Sequence, residues 1–591
     1  MPTIIKATGH GGQTRGLTAG AMPGMAAGTG GGMMPGAGAG RFGRMFNDAA
    51  DRPQHSDTLL LDLAHLMTDT GSGDPNDTDN DVGKPIRTDT STNPPKKATD
   101  EGDENPVVPA GYTYFGQFVD HDITFDPTPL HGKEVDPTAL ADYRTPALDL
   151  DSVYGSGPDN QPYLYTTDKN SFTILRTGAD ISGGIANAAA ATASKHDHFR
   201  LPPDADGLAV AVLGDKRNDE NKLVAQLHTA FVALHNKLMA DPQTLLKMGP
   251  FDAGDPEARF RMAVKTVRWH YQWVVLFDYA RDRLCELTAV DEVLNAGSTP
   301  RLSHYLADNP AFAYMPIEFS VAAFRLGHSM VRPTYALNET VGSTPPFDKL
   351  RIPIFKLGAK ASEAMNGFGQ AIPAKWGIDW SFFLDGPTKP VDKPGTQPLA
   401  IPQLSYRMDA TIVDPLAALP EFKGKQPDAN LAFRNLLRAR MLRLPSGEAV
   451  AGRLGIKPLT FEELWWSGSQ HDPKRDLAKV DADRKTLATR RKKFGDDHAS
   501  AITSATPLWY YILREAELFG TMRAPNDPFG GQHLGPVGSR IVAETFVGLL
   551  WMDQTSFLHA QTPFRPVLGL TQPLAAGAKF TLADLIRYAS S

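Results

Sequence analysis

Cysteine is almost missing from this chain: Cys285 is the one example in 591 residues. A lone thiol forms no internal disulfide and no cysteine-based zinc or iron–sulfur site. Any metal centre must therefore use histidine, carboxylates or a cofactor with ligands of its own. Long apolar runs are missing too: no stretch of about 18 apolar residues occurs, so no membrane span is expected. Excess charge is small, with 60 Lys+Arg against 67 Asp+Glu and a formal net charge of −7. That balance argues against a general nucleic-acid or anionic-membrane partner. The opening MPTIIKATGHGGQTRG lacks a charged segment followed by a long apolar one, so no conventional signal peptide is expected. The compartment is left between cytoplasm and export by a non-classical route. Alternating strand patterns are scarce, SFTILRTG from Ser171 being the best, and no period of about 20–50 residues marks a solenoid.

What is present divides into three. Residues 1–50 are rich in Gly, Ala and Met and read as a flexible arm. Residues 51–110 hold a short helix, DTLLLDLAHLM after the cap Ser56, and then a polar acidic connector. The Asp-rich run from Asp74 offers no register with the Gly and Glu that an EF-hand needs. Residues 111–591 form the main domain. Its segments ENKLVAQLHTAFVALHNKLMAD, ARFRMAVKTVRWHYQWVVLFDYARDRL, IEFSVAAFRLGHSMV, PDANLAFRNLLRARMLRL and PVGSRIVAETFVGLLWMD all repeat apolar residues at helical spacing. The fold class is mainly α, one large helical domain with few short strands.

Four stretches carry chemistry. In YTYFGQFVDHDITFDP, Gln117 and His121 lie one turn apart on a helix, with Asp120 and Asp122 flanking the imidazole. Taken alone, a helical histidine is commonly a satisfied core residue. In TPALDLDSVYGSG, Thr145, Asp149, Asp151 and the carbonyl of Ala147 put oxygens at alternate positions, which suits a hard cation. Alone, such residues simply make turns. GDKRNDEN carries Arg217 and Glu220 and reads by itself as a surface loop. The next helix has His228 and His235, seven apart on one face and read as structural. FRLGHSMVRP places His328 in an apolar, buried helix, one turn after Arg325, as an iron ligand would be. FRNLLRAR adds Asn435, whose amide could orient a ligand histidine.

In this order and spacing, GQFVDHD, LDLDSVYGS, GDKRNDEN, FRLGHSMVRP and NLLRARMLRLPSG resemble the animal-type haem peroxidases. This is the peroxidase–cyclooxygenase superfamily, which includes myeloperoxidase and lactoperoxidase. The likeness runs from about Tyr112 to about Leu550, with HYQW and LGPVGSRIVAETFVGLL nearer the bacterial branch. It implies a helical domain around a central haem b. His121 is then the distal histidine, Gln117 the distal halide-linked glutamine and Arg217 the distal arginine. His328 becomes the proximal iron ligand with Asn435 as its partner, and Arg325 a haem contact. Asp120 and Glu220 become the ester links to haem. Asp122, Thr145, Ala147, Asp149 and Asp151 become a Ca²⁺ site. Asn221 stands where myeloperoxidase has a sulfonium-forming methionine, so that link is not expected.

The resemblance implies a peroxidase that reduces H₂O₂ and oxidises halides, thiocyanate and small aromatic donors, with oligomeric state open. One alternative is a fatty-acid dioxygenase of the cyclooxygenase type, but Arg325 occupies the position of its radical tyrosine. The other is a non-catalytic haem-containing adhesion protein, which would have lost the distal residues retained here.

Overall fold

The computed structural model describes residues 40–47, 52–68, 88–89, 96–97, 104–126, 140–168, 171–178, 196–295, 299–306, 312–341, 351–356, 363–385, 402–422, 425–466, 482–524, 527 and 529–591. Most of the expected arm and connector, including the Asp-rich run, lies outside these residues. The architecture is mainly α.

Among the described residues, the α-helices of nine residues or more are α1 (Asp57–Met67), α2 (Gly111–Ile123), α3 (Lys222–Ala240), α4 (Pro256–Trp273), α5 (Leu431–Met441), α6 (Ala482–Ile502), α7 (Leu508–Phe519), α8 (Pro536–Met552) and α9 (Leu582–Ser590). Several starts follow from polar caps. The side chains of Ser56, Asn221 and Asn430 accept from Leu59, Leu223 and Phe433 N–H groups, satisfying donors that the first turn leaves open. Strands are short. β1 (Gly40–Gly43) runs antiparallel to β2 (Ala141–Asp142) and parallel to β3 (Met315–Pro316). SFTILRTG is partly a strand, Ser171–Leu175, in a hairpin with Tyr165–Asp168. The end of the expected arm is thereby fastened: Phe42, Met45 and Phe46 are buried, and Glu318 accepts from the Met45 N–H at 2.9 Å.

Helix α2 lies deep in the core against α3 and the Ala323–His328 segment. Of its residues, only Gln117 and Asp120 escape full burial, one turn apart and facing the same way. Gly116 allows this depth, because a Cβ there would lie 2.0 Å from the Tyr279 hydroxyl.

One expected helix is not continuous. IEFSVAAFRLGHSMV forms a short turn at Ile317–Ser320, breaks at Ala322 (φ −130°, ψ −75°) and resumes as 3₁₀ geometry over Ala323–His328. The reason is competition for its carbonyls. Arg325 Nε donates to the Ser320 carbonyl at 3.1 Å, and Trp509 Nε1 to that of Arg325 at 3.2 Å. One local and one tertiary side-chain bond take up these carbonyls, and a short tight helix is what remains.

Candidate active site

Full burial of His121 raises the question of its protonation. Its Nδ1 lies 2.9 Å from Asn218 Oδ1, while Asn218 Nδ2 lies 3.0 Å from His228 Nδ1. An amide oxygen only accepts, so His121 carries its proton on Nδ1. The Nε2 lone pair is then free, and that atom is buried without a hydrogen-bond partner. Burial first, and the Arg217 charge second, lower the imidazole from 6.5 to about 4, so it is neutral at pH 7. A buried, neutral, unpartnered nitrogen is the base that proton abstraction requires.

Arg217 is not on a surface loop, as its turn suggested in isolation, but buried in a 3₁₀ turn, Lys216–Asp219. Asp215 caps that turn and pairs with the guanidinium at 2.8 Å. Burial alone would push Asp215 up, but the charges of Arg217 and Arg144 hold it well below the usual carboxylate range. Arg217 Nη2 also donates to the carbonyls of His121 (2.9 Å) and Thr124 (2.7 Å), and its guanidinium lies 4.6 Å from the Phe125 ring centroid. Glu220 is buried immediately after this turn.

The carboxylates of Asp122, Asp149 and Asp151 converge, with one oxygen of each within 4.8 Å of the others. Asp122 Oδ2 accepts from Leu150 N–H and the Tyr271 hydroxyl, both at 3.1 Å, while Oδ1 is buried without a partner. Burial and then the neighbouring acids push Asp122 well above its ordinary value, and burial drives Asp151 to about 7. A cation would relieve that repulsion, so the donor set fits one. Thr145 donates to Asp149 at 2.9 Å, and the Ala147 N–H bonds the Thr145 carbonyl in the same loop. From this cluster a line of alternating charge runs to Arg217: Arg144 bonds Asp151 at 3.2 Å and Asp215 at 3.2 Å.

His328 ends the 3₁₀ segment and is half-buried, not enclosed in an apolar helix. Its Nδ1 lies 2.8 Å from Asn435 Nδ2, and Asn435 Oδ1 accepts from Arg325 at 2.7 Å. This differs from the expected geometry, because Arg325 has taken the oxygen that was to orient the imidazole.

Asp120, Arg217, Arg325, Arg434, Asn435 and Arg438 line a cleft. Gln117, His121, Glu220 and His328 are not among its lining residues. Four guanidinium groups against Asp120 and Asp126 leave the lining cationic, which fits a cofactor with carboxylate arms. The orphaned His121 Nε2 fits a reacting ligand beside it. Asn221 serves instead as the cap of α3. Sequence reasoning missed Asn218, Asp215 and Arg144. Asn218 and Asp215 both lay inside the quoted GDKRNDEN, where Asp215 at two residues from Arg217 was a usable signal.

Residues 132–360 match the animal haem peroxidase family. That span includes the acidic loop, Arg217, Glu220, Arg325 and His328, whereas Gln117–Asp122 and Asn435 fall outside it. No curated protein sequence matches the chain. Among solved structures, peroxidase A from Dictyostelium discoideum is similar over 94% of each chain, with 14% identity and a TM-score of 0.50. Fatty acid alpha-dioxygenase from Oryza sativa aligns over 76% of this chain and 70% of its own, with 13% identity and a TM-score of 0.45. The first likeness extends the shared fold over nearly the whole chain.

Proposed function

With an animal haem peroxidase domain in a chain of the peroxidase–cyclooxygenase superfamily as the premise, we propose that this protein is a haem-dependent peroxidase. It reduces H₂O₂ and oxidises iodide, bromide, thiocyanate and small phenols. The observation that carries the reading is His121: neutral, buried, its proton fixed on Nδ1 by Asn218, its Nε2 open.

Haem b, when bound, supplies the two-electron chemistry, with His328 as iron ligand. His121 takes a proton from peroxide at Nε2 and returns it to the departing oxygen, as base and then acid. Arg217 has Nε and Nη2 engaged by Asp215 and backbone carbonyls, so Nη1 is left to stabilise charge developing on that oxygen. For Asn435 to accept from His328 Nδ1, its amide would have to turn over and its oxygen leave Arg325. Asp120 and Glu220 supply the carboxylates for ester links to the cofactor. Ca²⁺ binds at Asp122, Asp149 and Asp151, with Thr145 and the Ala147 carbonyl completing the set. Gln117, on the half-exposed face of α2, offers its amide N–H to a halide. With the myeloperoxidase-type sulfonium ruled out by Asn221, chloride is the poorest of these donors.

The test is an absorption spectrum of the purified protein, then H₂O₂ with bromide, iodide or phenol, in wild type and Gln117→Leu. Halide turnover that drops in the variant while phenol oxidation holds supports the reading. Phenol oxidation without any halide turnover removes the halide role. Oxygen uptake with a polyunsaturated fatty acid and no added peroxide would replace the peroxidase reading with a dioxygenase.

A further inference from the structure

The ring of His328 meets Trp509 edge to face, with centroids 6.2 Å apart at 84°. Tyr510 is the next residue in α7, one peptide away, about 3.8 Å between Cα atoms. It stacks on Trp465 with centroids 4.7 Å apart and planes within 5°. Trp466 follows Trp465 by one peptide. Trp509 and Trp465 are 0% exposed and Tyr510 1%, but Trp466 is 45% exposed. Two ring contacts, His328 with Trp509 and Tyr510 with Trp465, joined by single peptide links, thus lead from the iron-ligand candidate to the exposed Trp466.

The indole nitrogens along that line differ in a way that gives it direction. Trp509 Nε1 donates to a backbone carbonyl. Trp465 Nε1 is buried with no partner. Trp466 Nε1 donates to the Asp496 carboxylate at 3.0 Å. An indole that loses an electron becomes acidic at Nε1, and of these three only Trp466 faces a group that takes up the proton. Lys492 lies 4.8 Å from the Trp466 ring centroid, a charge that opposes oxidation, but it is paired with Asp496 at 2.7 Å.

We propose that Trp466 is a second oxidation site, at the surface, fed through Trp465, Tyr510 and Trp509 and serving electron-rich aromatic donors too bulky for the cleft. The proposal rests on the peroxidase reading for its oxidant. Overall, H₂O₂ and two donors DH give two H₂O and two D•. For each donor, Trp466 passes one electron inward and its Nε1 proton to Asp496. The donor then returns one electron to the indole, Asp496 returns the proton, and the donor's own proton enters solvent to balance the protons consumed in forming water.

The experiment uses haem-loaded protein with free phenol and with a phenol tethered to a large dextran. In Trp466→Phe, tethered-phenol oxidation falls at least about tenfold while free-phenol oxidation stays within about twofold. Electron paramagnetic resonance after H₂O₂ addition shows a neutral tryptophanyl radical in wild type, altered by ring-deuterated tryptophan and lost in Trp466→Phe. In Asp496→Asn the radical no longer settles in its deprotonated form. Equal turnover of tethered phenol in wild type and Trp466→Phe, or no tryptophanyl radical in a wild type that oxidises free phenol, overturns the relay alone. A wild type that leaves H₂O₂ unconsumed overturns the peroxidase reading, and the relay with it.

Discussion

The two histidines of the site sit in opposite kinds of surroundings. His121 is on a regular helix sunk into the core, its ring held by Asn218, its carbonyl by Arg217, and its neighbour Asp122 tied into an acidic cluster. His328 ends a 3₁₀ segment in which the Arg325 carbonyl is claimed by Trp509, and it is half-buried, with one amide partner already shared with Arg325. The difference suits the roles proposed for them. A proton shuttle has to hold one tautomer against a ligand that comes and goes, which rigidity provides. A cofactor ligand is fixed by the bond it makes, so its own segment can be short and locally irregular.

Breaking each side separately should give unlike defects. His328→Ala loses cofactor, read as loss of the Soret band. His121→Ala keeps it but slows peroxide reduction by about 10²–10⁴-fold in stopped-flow mixing. Asn218→Ala frees the tautomer while leaving both histidines in place, and the same rate falls about 10–100-fold. If it is unchanged, Asn218 does not set the proton on Nδ1.

The acidic cluster sharpens the contrast through pH. Asp151 is raised to about 7 and Asp122 is raised well above its ordinary value, so without a cation the folded state holds extra protons. Their stabilisation is present at low pH and is lost as pH rises through about 7. Chelator-treated protein should therefore show a falling melting temperature across that window, and added Ca²⁺ should restore it. Asp149→Ala should abolish the response. His121 has the opposite sign: lowered to about 4, it favours the folded state above its ordinary 6.5 and withdraws that support as pH falls from there towards 4. The cost at acid pH is about 3 kcal/mol. Peroxide reactivity should lose its acid limb near pH 4 instead of near 6.5.

The smallest effect tests the proximal amide. Asn435→Asp offers oxygen to both Arg325 and His328, so the imidazole becomes a stronger donor. The reduction potential of bound iron should fall in spectroelectrochemical titration, with peroxide binding little changed.

Helices with a polar cap and one apolar stripe were readable in the sequence. Asn221 and α3, or Asn430 and α5, declare themselves locally. The acidic triad was readable because two of its members share one loop. The 3₁₀ segment was not, since one of its carbonyls, that of Arg325, is taken by Trp509, distant in the chain. Asn218 was overlooked for a similar reason: it lies 97 residues from His121, and nothing in either neighbourhood encodes that meeting. Periodicity reports what a segment needs buried, whereas side-chain bonds between distant segments carry no local mark.

Strand β1 has a consequence for the order of events as the chain is made. Phe42 pairs with Met315, and Gly40 with Asp142. A ribosome delivers residues 40–43 first, yet their parallel partner arrives only after more than half of the chain has been synthesised. During that interval Phe42, Met45 and Phe46, all buried at the end, wait in contact with solvent or with a chaperone. Docking of this segment is thus a late event, occurring as the stretch that will present His328 emerges.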